Sequence, residues 1–294
     1  MNLKLTWEKN TPDLRALFRG GFPTFVTSSH PPDSLDVLPV FCYHAIHPGH
    51  LADDLSFLVR NRYQTLTASH VLDLLEKKAP LPPRSIVLTV DDGASDLYQT
   101  LYPALSANSL KAIAFVATAF HSDTYDLPDH ARPCSWTELN EMNRSGTIDV
   151  QAHTHTHRYI PHWPRPLDLV GIDPAYSRAI QAQPLLSLRD DLAASKAILE
   201  DKLGKFIEHL AFPMYTGTPE AVDLARDLGY RGLWWGTLPG RPGNRPGDPA
   251  THIVRLSAEW IRRLPGEGRL PLRAILAMRL RKKTINEKNY NASS

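Results

Sequence analysis

Cysteine is nearly absent from this chain: its 294 residues include two, Cys42 and Cys134, and no CxxC pair. A disulfide framework is thereby excluded, and both residues read as free thiols. An excess of one charge is also missing, since 33 Lys and Arg stand against 31 Asp and Glu for a net +2. Nothing in that balance drives the protein toward nucleic acid. No apolar run is long enough to cross a bilayer, and no internal repeat or low-complexity tract stands out. The opening "MNLKLTWEKNTPDLR" carries acids and no apolar h-region, so it does not read as a secretory signal. These absences lead to the expectation of a cytoplasmic protein with no nucleic-acid partner. Its length suits one large domain and can bury a core without staples.

What the chain does have is alternation. "VLPVFCYH", "RSIVLTVDDG", "KAIAFVAT", "TIDVQAH", "FIEHLAFP", "YRGLWWGT" and "THIVRL" are short apolar runs of strand character. Between them lie amphipathic stretches such as "LADDLSFLVRNRY", "SWTELNEMNRSG" and "RDDLAASKAILEDKLG". Ser135 or Thr137 is placed to cap the second of these. Strand–helix repetition predicts a parallel sheet with helices outside, open or closed into a barrel. Residues 1–36, ending in the loop-like "SSHPPDSLDVLP", read as an extension before a main domain over 37–262. A Pro-, Trp- and Tyr-rich insertion, 158–188, is expected to be a lid or substrate wall. The tail 263–294 is basic, with an apolar stripe of Leu270, Leu272, Ile275, Leu276 and Leu280. It reads as a docked terminal helix in preference to a helix lying on a membrane surface.

Two polar clusters follow apolar strands. In "QAHTHTH", His153, His155 and His157 occupy every second position. If the strand continues, all three imidazoles share one face; if it turns, His153 and His157 converge and His155 points elsewhere. "VDDG" places Asp91 and Asp92 at another strand end, where parallel α/β folds bind their ligands. Two imidazoles and a carboxylate hold a divalent metal with a position left open. A second carboxylate beside them suits a general base.

Together these elements resemble the polysaccharide deacetylases of the NodB-homology, or carbohydrate esterase family 4, type. "TVDDG" is similar to that family's T-F-D-D-G element, and His153, Thr154 and His157 to its H-[ST]-x-x-H element. The likeness spans residues 37–257 and is nearest to the branch acting on exopolysaccharide hexosamines. It implies a distorted (β/α) barrel, a single domain, that removes acyl groups from sugars with a divalent metal: zinc first, with nickel, cobalt or manganese also suited. It implies Asp91 as base, and Asp92, His153 and His157 as metal ligands. Pro213 and Tyr215 in "LAFPMYTG" would wall the pocket, with a backbone N–H near Tyr215 for the oxyanion. Trp235 is placed to stack a sugar, His44 to line the rim, and His252 to act as general acid. Two departures stand out. "EHLAFPMYTG" lacks the arginine that in the family pairs with the base, and Glu259 replaces the final histidine. The expected function is metal-dependent N-deacetylation of an N-acetylated sugar. Its alternatives are a catalytically silent carbohydrate-binding homologue and a deacylase of a small amide or nucleotide-sugar.

Overall fold

Strands with no polar face must be covered on both sides, and every residue of β1 (Val40–Tyr43), β3 (Ser85–Asp92) and β4 (Ala112–Val116) is buried. The structure, a computed structural model, describes residues 19–30, 32 and 34–278. A short β2 (Gln64–Thr65) pairs with the start of β3 outside the main order. β5 (Ile148–Ala152), β6 (His209–Ala211), β7 (Gly232–Trp235), β8 (Ile253–Val254) and β9 (Leu256–Ser257) complete the set. All pairings between them are parallel, in the order β8-β7-β6-β5-β4-β3-β1-β9.

The two ends of that order are one piece of chain. β8 pairs with β7, β9 pairs with β1, and Arg255 alone separates them. The result is a nearly closed barrel of eight parallel strands, seamed at Arg255.

Register and strand parity divide the side chains into two sets. Val40, Val87, Ile113, Phe115, Ala211, Trp234 and Ile253 form the inner set, joined by Val71, Leu72 and Leu75 of helix Ala68–Glu76. The neighbouring positions Phe41, Leu88, Ala114, Val150, Leu210 and Leu233 pack outward against the surrounding helices. Local chemistry sets the ends of those helices. Ser135 rather than Thr137 caps Trp136–Arg144, in a reciprocal arrangement with Glu138. Gly204, at φ 63°, stops Leu188–Leu203.

The chain before β1 is not a separate appendage where it is described. Phe25 and Val26 in the turn of helix Thr24–Thr27 are buried, and Phe25 meets Phe41 edge-on. Arg263 holds them there by donating to the Val26 carbonyl at 3.0 Å. Leu270, Leu272 and Ile275 likewise pack on the core, whereas Leu276 is exposed and Leu280 lies outside the described residues. Among the described residues, no helix is long and apolar enough to cross a membrane.

Candidate active site

β3 ends in the two aspartates because its strand geometry fails there. Asp92 has φ 74° and Gly93 φ 73°, so successive left-handed residues swing the chain out of the barrel wall. A Cβ on Gly93 would stand 2.8 Å from the His121 ring, so only glycine fits. Asp91 keeps the inner parity of Val87 and Thr89, while Asp92 is turned across the rim.

The histidine tract breaks in the same way. β5 ends at Ala152, His153 continues its inner parity, and Thr154 at φ 69° ends the extended run. His157, itself at φ 49°, then returns so that its ring lies 5.0 Å from that of His153. His155 leaves the group, its Nδ1 lying 2.8 Å from the Thr118 hydroxyl. Of the two readings of "HTHTH", the structure adopts the turn. Asp191, fully buried, pins the loop by accepting the amides of His155 and Thr156 at 2.9 and 3.0 Å. Such φ values are disfavoured for side chains with a Cβ and persist only where surrounding contacts enforce them.

Asp92 Oδ1 lies 3.6 Å from His153 Nε2 and 3.5 Å from His157 Nε2. The three donor atoms fall within 4.8 Å of one another, all from buried residues. Their other atoms are committed elsewhere. His153 Nδ1 faces the Ala211 carbonyl at 2.8 Å and His157 Nδ1 the Leu167 carbonyl at 3.2 Å. A carbonyl only accepts, so each Nδ1 carries its proton and each Nε2 offers a lone pair. Burial, partly countered by Asp91, pushes the His153 imidazole down to about 4, which keeps it neutral. Asp92 Oδ2 accepts the Val170 amide at 2.8 Å, leaving Oδ1 for the cluster. Two oriented imidazoles and one oriented carboxylate oxygen fit a divalent metal.

Asp91 sits beside this group with a counter-charge of its own. Arg255 reaches from the barrel seam and donates to Asp91 Oδ1 at 2.6 Å, both side chains being buried. Asp91 Oδ2 lies 3.8 Å from His44 Nε2 and 3.9 Å from His153 Nε2. Burial opposes ionisation of Asp91, but Arg255, His153 and His44 outweigh it and hold the carboxyl well below the usual carboxylate range. The arginine missing from "EHLAFPMYTG" is therefore supplied from another strand. It lies in "THIVRL", where Arg255 shares the inner parity of Ile253.

The remaining candidates divide. Tyr215 and His44 meet on the rim, with hydroxyl to Nδ1 at 3.3 Å and rings edge-on at 5.3 Å. Arg255 stacks over the Tyr215 ring at 5.1 Å. The buried Pro213 begins the turn that carries Tyr215. The amides of Tyr215 and Thr216 are bonded within that turn to Phe212 and Pro213, so neither is available for an oxyanion. Two residues beyond His44, Asp96 accepts the Ile46 amide at 2.8 Å.

Trp235 and His252 need correction. Trp235 has outer parity, is 8% exposed and donates to the Thr251 carbonyl, so it belongs to the core and not to a substrate wall. His252 precedes β8, at the amino end of that strand, and stacks flat on Trp235. Asp92 lies at the carboxyl end of β3, so the structure does not bring His252 to the site.

The insertion 158–188 also differs from a simple lid. Tyr159, Ile160, Leu167, Leu169, Ile172 and Gln181 are buried. Leu167 and Val170 supply the backbone groups that orient His157 and Asp92. Gln181, on helix Pro174–Gln181, donates to the Leu167 carbonyl at 2.7 Å, and Arg158 donates to the Gln181 carbonyl at 2.6 Å. The segment is a buttress for two of the three cluster residues.

Comparison with known proteins converges on one group. The sequence pattern described as polysaccharide deacetylase matches residues 78–233. A putative polysaccharide deacetylase of Bacillus subtilis, YxkH, is 25% identical over 228 residues, covering 75% of this chain and 71% of the relative. The poly-β-1,6-N-acetyl-D-glucosamine N-deacetylase of Escherichia coli K12 is 24% identical over 125 residues, 40% of this chain and 19% of that much longer protein. Among solved structures, IcaB from Ammonifex degensii superposes with a TM-score of 0.61 at 25% identity, over 78% of this chain and 98% of that one. A de-N-acetylase from Aggregatibacter actinomycetemcomitans shares the fold, with a TM-score of 0.58 at 20% identity over 76% and 96% of the two chains.

Proposed function

This chain belongs to the polysaccharide deacetylase family, whose enzymes are hydrolases of acetylated carbohydrates, and on that premise we propose that it is a metal-dependent N-deacetylase of glycans built from N-acetylated hexosamines. The observation that carries this reading is the division of labour at Asp91. One oxygen is neutralised by Arg255, and the other faces both the Asp92–His153–His157 cluster and His44.

A divalent metal held by Asp92, His153 and His157, zinc being the first choice for this donor set, would supply Lewis acidity at the acetamide and its attacking water. Asp91 Oδ2 takes a proton from that water as its oxygen bonds to the acyl carbon. His44, in its protonated form, gives a proton to the amide nitrogen as the carbon–nitrogen bond breaks. Acetate and a free amine result. His44 replaces His252 as the general acid because its Nε2 lies 3.8 Å from the Asp91 oxygen that also faces His153 of the cluster. Tyr215 fixes the imidazole through its hydroxyl and walls the rim. The buried pair of Arg255 and Asp91 argues against a silent binding homologue, since binding alone needs no ionised base beside the cluster.

The test is acetate release from N-acetylglucosamine oligomers, β-1,4- and β-1,6-linked, by zinc-loaded protein. The wild type is expected to release acetate. Asp91→Asn is expected to keep its metal and lose about 10²–10⁴-fold in turnover, the usual worth of general base catalysis. Near-normal turnover by metal-replete Asp91→Asn would remove the assigned role.

A further inference from the structure

A cleft of about 640 Å³ opens on the carboxyl-end rim, beside the site but outside it. Its walls include Ile160 and Trp163 from the start of the insertion, Leu188 from the first turn of helix Leu188–Leu203, and Thr218 and Glu220 from the cap and first turn of helix Pro219–Asp227. Both long walls begin at the site. Ile160 is three residues after His157, and Thr218 is three residues after Tyr215. Three residues of chain span at most about 11 Å, a distance that a disaccharide bridges.

The lining suits one kind of ligand. Trp163 is half-buried and gives a flat apolar face, with Ile160 and Leu188 extending it. Thr218 uses its oxygen to cap its helix, accepting the Ala221 amide at 3.1 Å, which leaves its hydroxyl proton to donate. Glu220 is exposed and, among the described residues, has no ion-pair partner. A stacking face, a hydroxyl donor and a lone carboxylate together match a sugar ring bearing an ammonium group.

We propose that this cleft binds a unit of the glycan two places along from the one whose acetamide is at the catalytic site, and that Glu220 makes it prefer a unit already deacetylated. The proposal rests on the deacetylase reading above. In its terms, Trp163 gives the enzyme its preference for longer chains, and Glu220 directs it to partly deacetylated ones.

The experiment compares KM for N-acetylglucosamine dimers and pentamers, fully acetylated and partly deacetylated, in wild type, Trp163→Ala, Trp163→Phe and Glu220→Gln. Trp163→Ala is expected to raise KM for pentamers by about three- to tenfold, the worth of one aromatic stacking contact, with dimers and kcat unchanged. Trp163→Phe should recover most of the loss, separating stacking from any effect on folding. Glu220→Gln should raise KM only for partly deacetylated pentamers. Unchanged pentamer KM in Trp163→Ala overturns the subsite, and unchanged preference in Glu220→Gln overturns the assignment of charge. A wild type that turns over pentamers while both variants match it sinks this proposal alone. A wild type inactive on every oligomer sinks the deacetylase reading beneath it.

Discussion

Replacing Arg255 by Met isolates what the seam cation does for Asp91. At a charge separation of about 4 Å and an effective dielectric near 20, the pair is worth roughly 4 kcal/mol, or about 3 pKa units. In the wild type, burial pushes Asp91 up and Arg255 leads the charges that hold it down. Without the guanidinium, burial is opposed only by the imidazoles, so the carboxyl should rise back into the ordinary carboxylate range. A base works only when ionised, so the acid limb of kcat/KM should move up by about 3 units. Acetate release by Arg255→Met, relative to the wild type, should therefore fall more at about pH 4 than at pH 8. Removing one partner of a buried pair also costs about 3–5 kcal/mol of stability. For that reason, melting temperature and metal content accompany each rate. Arg255→Lys keeps a charge without the fork and should show a much smaller displacement. The reasoning is refuted if folded, metal-loaded Arg255→Met has the same ratio of activity at about pH 4 to activity at pH 8 as the wild type.

Three further outcomes follow from the geometry. His153→Ala, His157→Ala and Asp92→Ala should each lose metal and activity together, whereas His155→Ala should keep most of its metal; elemental analysis decides, and an emptied site in His155→Ala would refute the ligand assignment. Gln181→Met should weaken metal affinity by about 10–100-fold through the Leu167 carbonyl and His157; chelator competition reads it, and the cobalt spectrum should shift even at saturation. Burial pushes His209 down to about 4, and its Nδ1 accepts the Trp234 indole N–H at 3.1 Å. A folded pKa below the unfolded value of about 6.5 gives stability that is fully present above 6.5 and lost as pH falls toward 4, up to roughly 3 kcal/mol. The melting temperature of His209→Leu should therefore change less between pH 7 and 4.5 than that of the wild type.

The alternation of apolar runs and helical stripes was enough to read a parallel sheet covered by helices, because strands buried on both faces leave continuous apolar runs; closure into a barrel came from the family resemblance alone. The two polar clusters were legible as well, since each interrupts such a run at its carboxyl end. Arg255 was not, because its partner is 164 residues away and nothing local marks a cation inside "THIVRL". Trp235 was misjudged because a closed barrel has no open face: of the two adjacent tryptophans, Trp234 is buried inside the barrel and Trp235 against its outer shell. The insertion misled by composition: its Pro and Trp content suggested a loop, while Leu167, Leu169 and Gln181 turn inward to hold the rim.

The seam has a consequence for when the protein becomes active. Asp91 is synthesised early, and the segment that closes the wall and neutralises it emerges much later. Until residues 253–257 arrive, the sheet ends at β1 on one side and β7 on the other, with both backbone edges unpaired. A nascent or truncated chain in that state carries Asp91, the base of the proposed reaction, without its counter-ion. Closure of the ring and arming of the carboxylate are the same event, because one residue performs both.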